Sequence, residues 1–242
     1  MRLRNIPEAK GIVENSKYVI HDPASKKGAW HVDGRPLMIE IGMGKGRFII
    51  EMALRHPECD YLGMEMYESV LFRACERMEG IPYSTPLDKL EQEHEENEQP
   101  LPVPQNLHFL RNDARLLPDI FAEGELDRIY LNFSDPWPKA RHAKRRLTSR
   151  QFLARYEQVL KDGGRIEFKT DNNGLFEFSL EEIAACPNWE LVASTRDLHH
   201  DLAMNEGNIM TEYERKFSAL GNKINKLIAV YHKPRWGALN KL

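Results

Sequence analysis

Cysteine is scarce. The chain has three in 242 residues, Cys59, Cys75 and Cys186, an odd number with no C-x-x-C spacing. That argues against a disulfide framework and against a zinc site, and no metal is expected. A reducing, cytoplasmic setting is the expectation that follows. Long apolar runs are also missing. No stretch approaches the ~18 apolar residues of a membrane helix, so no membrane association is expected. Met1 to Lys10 carry charges but no apolar h-region, which argues against a secretory leader. An excess of positive charge is absent too, with a net charge of −3. A polyanionic partner would therefore have to be met locally.

What is present fits one substantial soluble domain: 41% hydrophobic and 29% charged residues. The charge is unevenly placed. Between Asp88 and Glu98 stand six acids and one lysine, whereas between Pro136 and Tyr156 stand seven Lys or Arg residues and no acid. A basic run by itself reads most simply as a solvated helix face.

Residues 1–35 show no clear core element and are expected to form a basic N-terminal extension, with a single domain over 36–242. Pro36 to Ile41 is a short apolar strand. Gly42, Gly44 and Gly46 end it, and helical spacing begins at Phe48. Tyr61 to Glu65 is a second strand, and Ser69 to Met78 the next helix. The proline-bracketed acidic stretch at about 83–104 reads as a surface insertion. Asn106–Leu110 is a third strand, after which Asp113 can cap a turn. Leu126 to Phe133 is the fourth. Thr148-Ser149-Arg150-Gln151 has capping-box form, predicting a helix from Thr148 to about Lys161 that Gly163-Gly164 ends. Arg165–Lys169 is the fifth strand and Leu175 to Ala185 another helix. Trp189 to Ser194 and Lys226 to Tyr231 are the last strands, joined without an evident crossover helix. Alternating strands and helices predict an α/β, Rossmann-like, doubly wound and mostly parallel sheet with an antiparallel edge.

In such sheets ligands bind at the carboxyl ends of the strands. Those ends carry Glu40 and Gly42, Glu65, Asn112 and Asp113, Asp135, and Asp171. The glycines let a ligand approach the backbone. Glu65 lies where an acid accepts ribose hydroxyls, which suits a nucleoside cofactor. A dinucleotide is one reading. The spacing, however, is G-x-G-x-G rather than G-x-G-x-x-G, and the Glu40 carboxylate would repel a pyrophosphate. It suits the amino group or sulfonium of S-adenosylmethionine, with Asn112 and Asp113 toward adenine.

Several separate motifs occur in a telling order: Glu40-Ile41-Gly42-x-Gly44-x-Gly46, Asn132-Phe133-Ser134-Asp135-Pro136-Trp137-Pro138-Lys139, Arg141-His142-x-Lys144-Arg145-Arg146-Leu147, and Thr211-Glu212-Tyr213-Glu214. Together they resemble the bacterial tRNA (guanine-N7-)-methyltransferases, most closely the Gram-positive type, over about residues 36–233. The resemblance implies a class I methyltransferase fold with a seven-stranded sheet. It implies S-adenosylmethionine as donor and tRNA as partner, with guanosine 46 of the variable loop as target. It makes Asp135 catalytic and a cofactor contact, and Lys139, Asp171, Thr211, Glu212, Tyr213 and Glu214 substrate-binding. Arg141, Lys144, Arg145 and Arg146 would then grip the RNA backbone. Relatives of this type resemble homodimers. The acidic insertion departs from the pattern.

Guanine N7 carries an in-plane lone pair and no proton, so the attack needs no prior deprotonation. Asp135 is expected to orient the base or offset its developing positive charge. Trp137 has two readings, a stacking platform or a wedge within its loop. Outside the resemblance, Thr211 to Glu214 reads as a helix cap with solvated acids. Three other functions remain open on the residues alone: an exocyclic-amine methyltransferase, a nicotinamide-dependent oxidoreductase and a non-catalytic RNA-binding module.

Overall fold

The computed structural model of the protein describes residues 6–31, 33–80 and 102–234. The acidic insertion lies outside the described residues except for 102–104. The elements run α1 (Pro7–Asn15), β1 (Leu37–Ile41), α2 (Arg47–Arg55), β2 (Asp60–Met64), α3 (Glu68–Glu79), β3 (Leu107–Leu110) and α4 (Leu117–Ile120). There follow β4 (Leu126–Asn132), α5 (Arg150–Tyr156), β5 (Leu160–Thr170), α6 (Asn173–Ala184), β6 (Trp189–Thr195), α7 (Leu202–Asn205), α8 (Glu212–Ala219) and β7 (Asn225–Tyr231).

The strands form one seven-stranded sheet in the order β3-β2-β1-β4-β5-β7-β6. β1 to β5 pair in parallel, and β7 runs antiparallel to both β5 and β6. The expected α/β architecture and its antiparallel edge are therefore present, with the reversed strand one place in from the margin. β1 is buried at all five positions, as a strand covered on both faces must be. Alternation along each strand divides the core in two. Ile39, Ile129, Ile166 and Phe168 join the layer under α4, α5 and α6, while Met38, Tyr61 and Tyr130 join the layer under α1, α2 and α3.

The N-terminal residues depart from expectation. Ala9 and Val13, one turn apart on α1, are buried in the second layer. The Phe109 amide donates to Tyr18 O at 2.8 Å and the Ile20 amide to Phe109 O at 2.9 Å, so this segment covers the open edge of β3. Trp30 packs on Phe121 at 5.2 Å between ring centroids, with its indole N–H donating to Ile120 O at 2.9 Å. Three apolar residues in one short helix and one tryptophan make too weak a pattern to announce this packing.

The stretch from Thr148 to Gly164 also differs. The cap of α5 is Ser149, whose side chain makes no capping bond, and Thr148 Oγ1 instead accepts from Ser179 Oγ at 2.7 Å. Glu182 from α6 takes the Arg150 amide at 2.6 Å, so a carboxylate from a neighbouring helix does the capping. α5 stops at Tyr156, and Gly163-Gly164 lie within β5. A Cβ on Gly164 would stand 2.8 Å from Lys161 O, so the glycine serves a close backbone approach rather than a helix stop.

Candidate active site

Because β1 to β5 are parallel, their carboxyl ends share one edge, and the predicted acids do come together there. Gly42 and Gly44 have φ of 74° and 60°, and a Cβ on either would meet only open space. The Gly42 amide donates to Met64 O at 2.8 Å, which fastens the turn to the end of β2. Glu65 closes the same turn. Its carboxylate accepts from the amides of Gly44 at 3.2 Å, Met66 at 2.8 Å and Tyr67 at 3.0 Å. Burial raises its pKa, those amides oppose the shift, and the charge of Asp135 adds to it. Asp113 caps its turn through the Arg115 amide at 2.8 Å and pairs with the Arg115 guanidinium at 2.6 Å. That pairing holds its carboxyl below the usual range.

Glu40 is the unusual member. It is 2% exposed. Its Oε1 accepts from Asn132 Nδ2 at 2.8 Å, and its Oε2 is buried without a hydrogen-bond partner among the described residues. Burial pushes the carboxyl up to about 8, against the pull of Asn132, Lys169 and the Ile49 amide in the first turn of α2.

The Asp135 loop leaves β4 under strain. Phe133 and Trp137 adopt φ of 52° and 41°, conformations that side-chain-bearing residues seldom take. Its first amide, on Phe133, donates to Lys169 O at 2.9 Å. Arg146 holds the middle, donating from Nε to Pro136 O at 2.9 Å and from Nη2 to Trp137 O at 3.1 Å. Arg145 lies over the Trp137 ring at 5.0 Å, and His142 meets it edge-on at 5.7 Å. Trp137 thus packs within its own loop while staying half-exposed, and Asp135 is exposed beside it. Lys139, Arg141, Lys144 and Arg145 are exposed along or beside a 3-10 turn over Ala140–Arg145. Arg146 is turned inward, away from that row.

The Thr211-to-Glu214 segment forms a true capping box. Thr211 Oγ1 accepts from the Glu214 amide at 2.9 Å, and Glu214 Oε2 accepts from the Thr211 amide at 3.4 Å. Its acids are paired rather than free in solvent, Glu212 half-buried and Glu214 buried. Glu212 pairs with Arg77, which also donates to Lys45 O in the glycine turn at 3.0 Å. Glu214 is fully buried: Lys169 Nζ reaches Oε2 at 2.5 Å, while His199 Nε2 and Asn208 Nδ2 each reach Oε1 at 3.0 Å. Burial works against its ionisation, yet Lys169, His199 and Asn208 hold it below the usual carboxylate range. Tyr213 stacks on Phe217 at 4.0 Å and leans on Phe133 at 4.9 Å. Asp171 accepts from Asn222 Nδ2 at 3.1 Å and faces the Tyr213 hydroxyl. Of the segment expected to meet substrate, then, Tyr213 is at the surface and Glu214 lies beneath it.

A family model described as "Putative methyltransferase" matches residues 34–227. A tRNA (guanine-N(7)-)-methyltransferase of Lachnoclostridium phytofermentans is 50% identical over 236 residues, covering 96% of this chain and 100% of the relative. One from Geobacillus thermodenitrificans is 47% identical, covering 95% and 97%. The chain belongs to the tRNA (guanine-N(7)-)-methyltransferase family. Solved structures agree on the fold alone. The 16S rRNA (adenine(1408)-N(1))-methyltransferase from Catenulisporales acidiphilia superposes with a TM-score of 0.55 at 14% identity, covering 97% of each chain. The 16S rRNA methyltransferase KamB gives 0.56 at 11% identity, covering 87% of this chain and 91% of that one.

Within this family member, sequence reasoning singled out the acids at the strand ends but missed what stands under them. Asn132, Lys169, His199, Asn208 and Arg77 all touch predicted site residues. One signal was available for Lys169. It follows Phe168 in a strand buried on both faces, and a lysine at an inward position needs a partner.

Proposed function

We propose that the protein transfers a methyl group from S-adenosylmethionine to guanine N7 of tRNA, at guanosine 46 in the variable loop. The observation that carries the donor half is Glu40. A buried carboxyl oxygen with no partner, beside a glycine turn open to space, suits a cationic amino group better than a pyrophosphate. The glycine turn, Glu65 and Asp113 complete a set of residues fit for a nucleoside bearing that amino group. When bound, the cofactor supplies an electrophilic methyl on a sulfonium.

The rest falls to the chain's own residues. N7 has no proton to lose, so Asp135 serves to orient the base and to offset the positive charge that grows on it. Its strained loop fixes the carboxylate before substrate arrives. Lys139, Arg141, Lys144 and Arg145 hold the phosphate backbone, contributing affinity rather than sequence choice. Asp171 and the Thr211–Tyr213 segment border the base on the α8 side. Arg146 and Glu214 support this arrangement from behind.

The test is transfer of labelled methyl from S-adenosylmethionine to bulk tRNA, followed by mapping of the product. Expected is a single 7-methylguanosine at position 46, revealed by chain cleavage with aniline after reduction. A label that resists this cleavage would indicate an exocyclic amine and overturn the reading. Binding of tRNA without transfer would do the same.

A further inference from the structure

We infer that Lys169 is a positioning residue for methyl transfer: it ties the loop that carries Asp135 to the segment that borders the acceptor base. The inference rests on the methyl-transfer reading above.

Lys169 is 3% exposed near the end of β5, in register with Asn132 of β4. It acts in two directions. Its backbone carbonyl takes the Phe133 amide at 2.9 Å, at the residue where the strained loop leaves β4. Its ammonium donates to Asn208 Oδ1 at 3.2 Å, Ile209 O at 2.9 Å and Glu214 Oε2 at 2.5 Å. An ammonium has three donors, and here two go to the stretch that leads into α8 and one to its first turn. The side chain lies over the Phe48 ring at 5.1 Å, in the first turn of α2 behind the glycine turn. Its charge also acts on Glu40. One buried residue thus meets the catalytic loop through its backbone and the acceptor segment through its side chain, while its charge acts on the donor carboxyl.

Such a group reaches neither substrate nor cofactor, so its effect should be on alignment. Misplacing reacting groups by about 1 Å can cost on the order of 100-fold in rate. The exposed basic row still holds tRNA, and Glu65 and Asp113 still face the nucleoside. Expected for Lys169→Met is a kcat lowered about 100-fold, with KM for tRNA and Kd for S-adenosylhomocysteine each within about threefold of wild type.

Removing one partner of a buried pair also destabilises the fold. Two further variants separate the roles. Lys169→Met with Glu214→Gln removes both charges while keeping the capping box, and is expected to regain thermal stability but not kcat. Asn208→Ala leaves the core intact. It is expected to lower kcat about tenfold while lowering the melting temperature less than Lys169→Met does, because it loosens the same tether but leaves the Lys169–Glu214 pair in place. Recovery of kcat to within about threefold of wild type in the double variant would reduce Lys169 to a purely structural role. An unchanged kcat in Asn208→Ala would overturn the inference equally. Wild-type protein run alongside keeps the two readings apart: no 7-methylguanosine from it defeats the methyl-transfer reading, whereas normal product with fully active variants defeats this inference alone.

Discussion

At the scale of single residues, the site is a set of carboxylates in unlike environments. Asp135 is exposed on a strained loop, Glu65 is wrapped in backbone amides, and Glu40 is buried with one oxygen idle. Their chemistry differs accordingly. Replacing Asp135 with Ala is expected to lower kcat by at least about 100-fold with the melting temperature unchanged; near-normal turnover would remove its proposed role. Glu40 makes a pH prediction. Its carboxyl is raised to about 8, so at pH 7 the free protein carries it mostly protonated. A cationic amino group bound there favours the carboxylate, so binding should expel a proton. Calorimetry with S-adenosylhomocysteine at pH 7, in two buffers of different ionisation enthalpy, should show release close to one proton, fading above about pH 9. Glu40→Gln should abolish it, and equal heats in the two buffers would count against the assignment. In the unliganded protein the same shift has the opposite face. The stability that neutral Glu40 contributes is whole at acid pH and is lost as pH rises through about 8.

At the scale of elements, the loop after β4 and the 3-10 turn behind it form one unit with two jobs. Arg146 braces the loop, while Arg141 and Lys144 face solvent. Changing Arg141 and Lys144 to Gln should weaken tRNA binding and flatten its dependence on salt, by about one unit of slope for each phosphate no longer neutralised. Arg146→Ala should instead lower kcat and leave the slope alone. Titrations at several salt concentrations tell the two apart. Here the limits of sequence reading have a physical cause. The glycine turn, the acid-ended strands and the proline-flanked Trp137 are visible because each is local, a few residues with a distinctive backbone demand. The partners of those acids are not local. Lys169 and Glu214 meet because α8 folds back across the end of β5, and no spacing along the chain encodes that approach. The failed helix cap at Thr148 has a similar origin: Ser179 and Glu182 arrive from α6 and take over both hydroxyl and amide. Arg146 shows the reverse error. One residue in a row of like charges points inward, and the row itself cannot say which.

At the scale of the whole molecule, the N-terminal segment is part of the sheet's architecture. Trp30→Ala should cost about 3–5 kcal/mol in chemical denaturation, the usual range for emptying a buried tryptophan site. A loosely attached extension would cost nothing. The cover over β3 also bears on how the molecule is made. Tyr18 and Ile20 leave the ribosome early, but their hydrogen-bond partner Phe109 is synthesised far later. At about 5–20 residues per second the nascent chain holds that segment without its partner for on the order of ten seconds. During that interval Val13 and Val19 are open to chaperones, and the edge of β3 lacks the cover that the Tyr18–Ile20 segment gives it.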